Sequence, residues 1–237
     1  TKNLDSLDSG VSSYRYDIDA SALALRAKHE AKFGNIRNAL TLGHDQADWK
    51  RTVPGAYGSA SQQKSNAFYV QDDVTLRSGT RLSAGYRSEN IKQTDTYSAS
   101  TDSDQEAWEI GITQPLSETW SVYGRLGNSF RLANFDEFGF TIPDTVLQPQ
   151  TSRDFELGSR WKYVGGRVEL RYYRSSLTHE LGYDPTVTNA NSWTGLGANV
   201  NFDPTLRQGL ELETQHALTK TLGLQLNLGL REANFTQ

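Results

Sequence analysis

The 237 residues carry 24 Lys+Arg against 28 Asp+Glu, a net charge of −4, with no Cys and no Met. The missing Cys removes disulfides, thiol nucleophiles and Cys-ligated zinc or iron–sulfur sites, and the slight acidity argues against a nucleic-acid partner. Only 36% of residues are hydrophobic, and no apolar run approaches the roughly 18 residues of a membrane-spanning helix, so the bare figures read as a polar soluble domain. The chain opens Thr1-Lys2-Asn3 with neither an initiating Met nor a signal peptide, which reads as a processed or partial product.

Taken in chain order, the elements are strands. Alternation is weak over 20–33 and 36–50, then plain: Phe68, Val70, Val74 and Leu76 share a face, with Asp72 as the exception. Leu82, Ala84 and Tyr86 alternate with Arg81, Ser83, Gly85 and Arg87, and Trp108, Ile110 and Ile112 alternate with Glu109, Gly111 and Thr113. Trp120, Val122 and Leu126 follow, opposite Ser121, Tyr123 and Arg125. Phe155, Leu157, Trp161 and Tyr163 then face away from Glu156 and Arg160, and Val168, Leu170 and Tyr172 are compatible. Leu210 and Leu212 alternate with Glu211 and Glu213, and Leu222 to Leu230 place a leucine at every second residue.

The connections alternate as well. Short links near 34–35, 78–79, 117–119, 163–166 and 219–221 carry Gly or small polar residues suited to tight hairpins. Long polar stretches lie at 51–63, 93–104, 132–151 and 178–206. Roughly ten strands joined in this way make an antiparallel meander with one tidy and one elaborate end. A soluble sandwich has strands of about 5–6 residues. These run to about 11–14, beyond the 9–11 that a tilted strand needs to cross a bilayer.

The pattern is therefore that of an all-β, up-and-down transmembrane barrel: apolar outside, polar inside, short periplasmic turns and long extracellular loops. Trp120 and Trp161 beside short turns, with Trp49 and Trp108 at long-loop ends, suggest two aromatic girdles. Arg81, Arg87, Glu109, Arg125, Glu156, Arg160, Arg171, Glu211, Glu213 and Arg231 all fall on the opposite face. So many charges cannot fill a narrow dry barrel. They suit a wide barrel with a watery or plugged lumen, which implies further strands beyond those in this chain.

At 129–161 the text becomes recognisable. Ser129-Phe130-Arg131-Leu132-Ala133-Asn134-Phe135-Asp136-Glu137-Phe138, then Leu147-Gln148-Pro149-Gln150-Thr151-Ser152 and Glu156-Leu157-Gly158, resembles the barrel of TonB-dependent outer-membrane receptors. The family pattern has Pro where Ala133 stands and Glu where Gln150 stands. Asn199-Val200-Asn201 through Gly209-Leu210-Glu211-Leu212-Glu213 is similar to the family's next recurrent strand. The resemblance implies that residues 1–237 are part of a 22-stranded barrel domain in the bacterial outer membrane. The plug, the TonB-contacting box and the C-terminal aromatic of the family have no counterpart in this sequence. It also implies a function: uptake of a scarce nutrient, most simply a ferric siderophore, by loop capture and plug-gated transport. The partners implied are the receptor's own plug domain, the TonB energy-transducing complex acting through that plug, and outer-membrane lipid. Cobalamin or an oligosaccharide are alternative cargoes.

Ligand candidates are the loop aromatics Phe138, Phe140, Tyr183 and Trp193, which could stack on a catecholate chelate or pack loop against loop. Lumen-facing Arg125 and Arg131 could attract an anionic chelate or pair with carboxylates on neighbouring strands or on the plug. His29, His44, His179 and His216 lack metal-ligand spacing, and no cofactor is expected. Haem receptors of the family carry a loop His between the two motif halves, whereas none lies between Arg131 and Gln148. Asp102-x-Asp104-x-Glu106 begins like a calcium loop, but Ala107 stands where Gly is needed, so it reads as a solvated acidic loop. Two rivals remain within the same architecture. One is a ten-stranded outer-membrane protease, with His179-Glu180 as its best catalytic candidate; the other is a passive porin.

Overall fold

The computed structural model describes residues 2–8, 11–55, 58–96, 100–190 and 192–236. Its strands are β1 (Lys2–Asp8), β2 (Val11–Phe33), β3 (Ile36–Val53), β4 (Ser59–Thr75), β5 (Arg81–Asp95), β6 (Thr101–Pro115) and β7 (Trp120–Arg131). After a short helix α1 (Phe135–Gly139) come β8 (Gln150–Tyr163), β9 (Gly166–Thr178), β10 (Glu180–Thr188), β11 (Leu196–Phe202), β12 (Thr205–Ala217) and β13 (Gly223–Phe235). Eleven strands form one antiparallel sheet in the order β1 to β9, then β12 and β13; β10 and β11 pair separately. The expected meander of ten long strands is thus β2–β9, β12 and β13. Short β1 is added at one edge, and the β10–β11 hairpin stands inside the last long connection.

Register bears out the face assignment. Leu126 lies opposite Ile110 on one side and Phe155 on the other, and all three are exposed. The rings and leucines of this surface have no protein cover because lipid covers them, while the backbone closes its own hydrogen bonds strand to strand. The opposite face is a mesh of ion pairs. Arg125 holds Glu109 at 2.5 Å, Arg160 holds Glu169 at 2.9 Å, and Arg171 lies between Glu156 and Glu211. With side chains two-fifths or more exposed on the arginine partner, each pair is worth no more than about 0–1 kcal/mol. Register and solvation of the lumen are what they secure. Even Asp72, the polar exception on the lipid face, is matched there by the amide of Asn38.

Three readings of the sequence are corrected. The stretches 51–63 and 93–104 are mostly strand, since Arg51 pairs with Ser61 and Gln93 with Thr101. Beyond the bilayer water bathes both faces, so the ladder continues after the hydrophobic contrast has ended. For the same reason Asp102, Asp104 and Glu106 lie extended on β6, with Asp102 and Asp104 both bonded by Asn90. Trp49 does not join the lipid girdle: it lies opposite Gln63 on the inner face and stacks on Phe135, centroids 4.9 Å apart and planes 8° apart.

Candidate functional site

The apolar core of this chain lies at the loop end, not within the sheet. Ala133, Phe138, Leu147 and Leu181 form a buried cluster that draws together the 132–149 connection and β10. Helix α1 has a reason to start where it does. Asn134 adopts an extended backbone and its side-chain oxygen accepts from the N–H groups of Asp136 (3.0 Å) and Glu137 (2.9 Å). Glu137 reaches back to accept from the N–H of Asn134 at 2.8 Å, which completes a capping box. The same carboxylate receives the guanidinium of Arg131, whose other arm donates to the carbonyl of Leu181 at 3.3 Å.

The second quoted motif completes the rim. Asn199 donates its amide to the carbonyl of Phe140 at 3.0 Å. Asn201 accepts from the N–H of Gln148 (2.7 Å) and donates to the carbonyls of Gln148 and His179, each at 2.9 Å. Gln150 accepts from the N–H of Leu181 at 3.0 Å, and Arg51 of β3 grips Asp136 at 2.7 Å. The residues that carry the resemblance are therefore the fasteners of two long loops. Asn134, Glu137, Asn199 and Asn201 are functional positions that the candidate residues of the sequence do not include. Asn134-x-x-Glu137 is a readable capping signal; the two later asparagines are not, since their partners Glu137, Phe140 and Gln148 lie more than fifty residues away in sequence.

Of the six candidates, the structure brings two together. Phe140 and Tyr183 lie with ring centroids 6.2 Å apart at 23°, and both are exposed. Phe138 is buried in the rim core, only 3% exposed, so it is spent on packing. Trp193 is fully exposed in the 189–195 turn that joins β10 to β11. Arg125 is engaged by Glu109 on the neighbouring strand β6, and Arg131 by Glu137 of α1. Among the described residues no group of His, Cys, Asp or Glu is placed to hold a metal ion.

The protease candidate also dissolves in geometry. His179 sits in the left-handed region (φ 55°) as the hinge between β9 and β10, and its carbonyl is held by Asn201. Glu180 is committed to Arg207 and to the Thr205 hydroxyl.

A meander with a lipid face, a charged inner face, tight turns at one end and folded loops at the other defines an outer-membrane barrel protein. The chain matches, over residues 2–237, the family model described as TonB dependent receptor-like, beta-barrel, and belongs to that family. That places it in the bacterial outer membrane, in a family of transporters. It is similar to the siderophore receptor PirA from Pseudomonas aeruginosa, at 18% identity and TM-score 0.74, the match covering 94% of this chain and 44% of that one. The siderophore receptor PiuA from Acinetobacter baumannii gives 14% and 0.74, over 95% of this chain and 40% of that one. BauA, the ferric preacinetobactin receptor from Acinetobacter baumannii, gives 12% and 0.73, over 94% and 38%. At such identities the likeness concerns the fold alone, and the chain spans 38–44% of the length of these three receptors.

Proposed function

We propose that this chain is the loop-bearing part of a receptor that imports a ferric siderophore, with the extracellular rim capturing the chelate. In this reading a plug domain gates passage and the TonB complex supplies the energy. The observation that carries it is the exposed Phe140–Tyr183 pair, presented on loops fastened by the Arg131–Glu137 and Asn201–Gln148 contacts. Two aromatic faces held in place before cargo arrives can stack on planar catecholate or heteroaromatic ligands with little further ordering cost. Trp193, fully exposed in the turn of the same β10–β11 hairpin, is a further aromatic candidate for contact with the chelate. Phe138 and Arg131 act indirectly, by holding the loops, while Arg125 is already neutralised by Glu109. The names of the three similar structures support the same choice of cargo.

The test is ligand binding by the full-length receptor, followed through quenching of intrinsic fluorescence by a ferric tris-catecholate. Phe140→Ala and Tyr183→Ala are each expected to weaken binding about three- to tenfold, the worth of one aromatic contact. Growth on the same chelate as sole iron source should fall in parallel. Unchanged affinity in both variants, or saturable binding of cobalamin or an oligosaccharide in place of the chelate, would overturn the siderophore assignment.

A further inference from the structure

The inner-face arginines Arg125, Arg160 and Arg171 are each held by carboxylates, whereas two arginines on the lipid-facing side are not. Arg153 on β8 and Arg174 on β9 are exposed, and neither has a carboxylate within ion-pair distance among the described residues. Register makes them neighbours: Arg153 lies opposite Ser176, and Arg174 lies opposite Phe155. They are thus a cross-strand diagonal pair, about 7–8 Å apart at the backbone and within reach of a common ligand through their long side chains.

Their level on the barrel is informative. Directly below them Phe155 and Tyr172 meet edge to face, centroids 6.2 Å apart, above the aliphatic run of Leu157 and Leu170. Aromatic side chains at that position mark the boundary between hydrocarbon and headgroups. The adjacent carboxylate does not compensate the charge, because Glu232 on β13 is already taken by the amides of Gln208 and Asn234. Elsewhere on the same outward face Lys64 is matched by Asp48 at 3.7 Å and Lys92 by Asp102 at 2.9 Å. Two guanidiniums left unmatched at headgroup height offer fork-shaped donors to phosphate oxygens, with the Ser176 hydroxyl between them.

We propose that Arg153 and Arg174 form a binding site for a phosphorylated lipid headgroup of the outer leaflet, its acyl chains lying along Phe155, Leu157 and Tyr172. Such a lipid would be a bound annular component that fixes the height of the β8–β9 rim in the membrane.

The experiment is native mass spectrometry of the full-length receptor in detergent. It is titrated in turn with a diphosphorylated glycolipid, the same glycolipid without its phosphates, and inorganic phosphate. Wild type is expected to retain the diphosphorylated form, and R153Q/R174Q to bind it about 30-fold more weakly, the sum of two interfacial cations. K92Q, on the same face but internally paired, should behave as wild type. R153K/R174K, which keeps the charge without the fork, should fall between. Equal retention of the phosphorylated and dephosphorylated lipids by wild type would overturn the proposal without reference to any variant. So would unchanged retention by R153Q/R174Q, or displacement of the glycolipid by millimolar inorganic phosphate alone.

Discussion

The guanidinium of Arg131 spans both carboxylate oxygens of Glu137, at 3.1 and 2.8 Å, across the step from β7 into α1. Because Glu137 also caps Asn134 and Arg131 also reaches Leu181, one ion pair joins the end of a membrane strand, a helix start and the β10–β11 hairpin. The contact is half-exposed, so its own worth is about 0.5–1 kcal/mol. Its geometric reach is wider than that figure suggests.

Replacing Glu137 with Ala removes the ion pair and half of the capping box together. About 1–2 kcal/mol of loop stability is expected to go. Hydrogen exchange measured by mass spectrometry should speed up about five- to thirtyfold across 132–149 and 180–188, while β8 and β9 exchange as before. Faster exchange spread evenly over the whole sheet would show that the pair secures the barrel and not the rim.

What could be read in advance depended on whether lipid lay on one side of a residue. Leu222 to Leu230 announced β13 because hydrocarbon on one face and water on the other impose a strict period of two. Above the belt both faces of β3 and β4 are wet, so Arg51–Val53 and Ser59–Gln63 looked like loop although they are paired strand. Trp49 reads as outward for the same reason, since its neighbours give no parity to count from. The inner-face charges were legible from alternation alone, but their partners were not. Arg171 finds Glu211 forty residues away through strand order, which no local window contains. The rim shows the opposite case: its fastening residues were visible as a family motif before their physical work was.

The two faces can be told apart by charge insertion. Leu157 is 54% exposed at mid-height on the lipid side, whereas Gln71 projects from β4 into the lumen beside Asp73. Leu157→Arg is expected to cost about 2–4 kcal/mol in bilayer-folded protein, and Gln71→Arg less than about 0.5 kcal/mol. Denaturant titrations of the receptor in phospholipid vesicles measure both. Equal costs would mean that the inside–outside assignment of β4 or β8 is wrong.

Asp184, on the β10 hairpin outside the membrane, accepts from the Thr186 hydroxyl at 2.7 Å and from the Thr186 N–H at 2.8 Å. The hydroxyl leads, and both donors favour the ionised form, holding the carboxyl below its ordinary value of about 3.9. A carboxyl lowered by folding stabilises the folded hairpin above its unfolded value, and that contribution disappears as pH falls through the lowered folded value. Carbon-detected NMR of labelled Asp side chains should therefore show Asp184 titrating below the usual carboxylate range. Thr186→Val should move its midpoint upward. Identical midpoints in the two proteins would count against the hydroxyl as the main cause.

Tyr123 lies flat over Gly158 of the next strand, and so close that a Cβ at Gly158 would overlap its ring. The tyrosine is fixed from two further sides: its hydroxyl donates to Glu169 at 2.6 Å, and the Arg160 guanidinium sits 4.1 Å above the ring. It therefore has nowhere to retreat. Gly158→Ala is expected to destabilise by about 1–3 kcal/mol through overpacking. The informative measurement is the double-mutant cycle. In a Tyr123→Ala background the clash is gone, so Gly158→Ala should cost about nothing, leaving a coupling close to its full single-variant cost. The same pairing joins Tyr69 to Gly43 on β4 and β3, so Gly43→Ala with Tyr69→Ala should repeat the result. If the penalties simply add at both places, the rings do not rest on the glycines. The small residues on the inner face would then need another explanation.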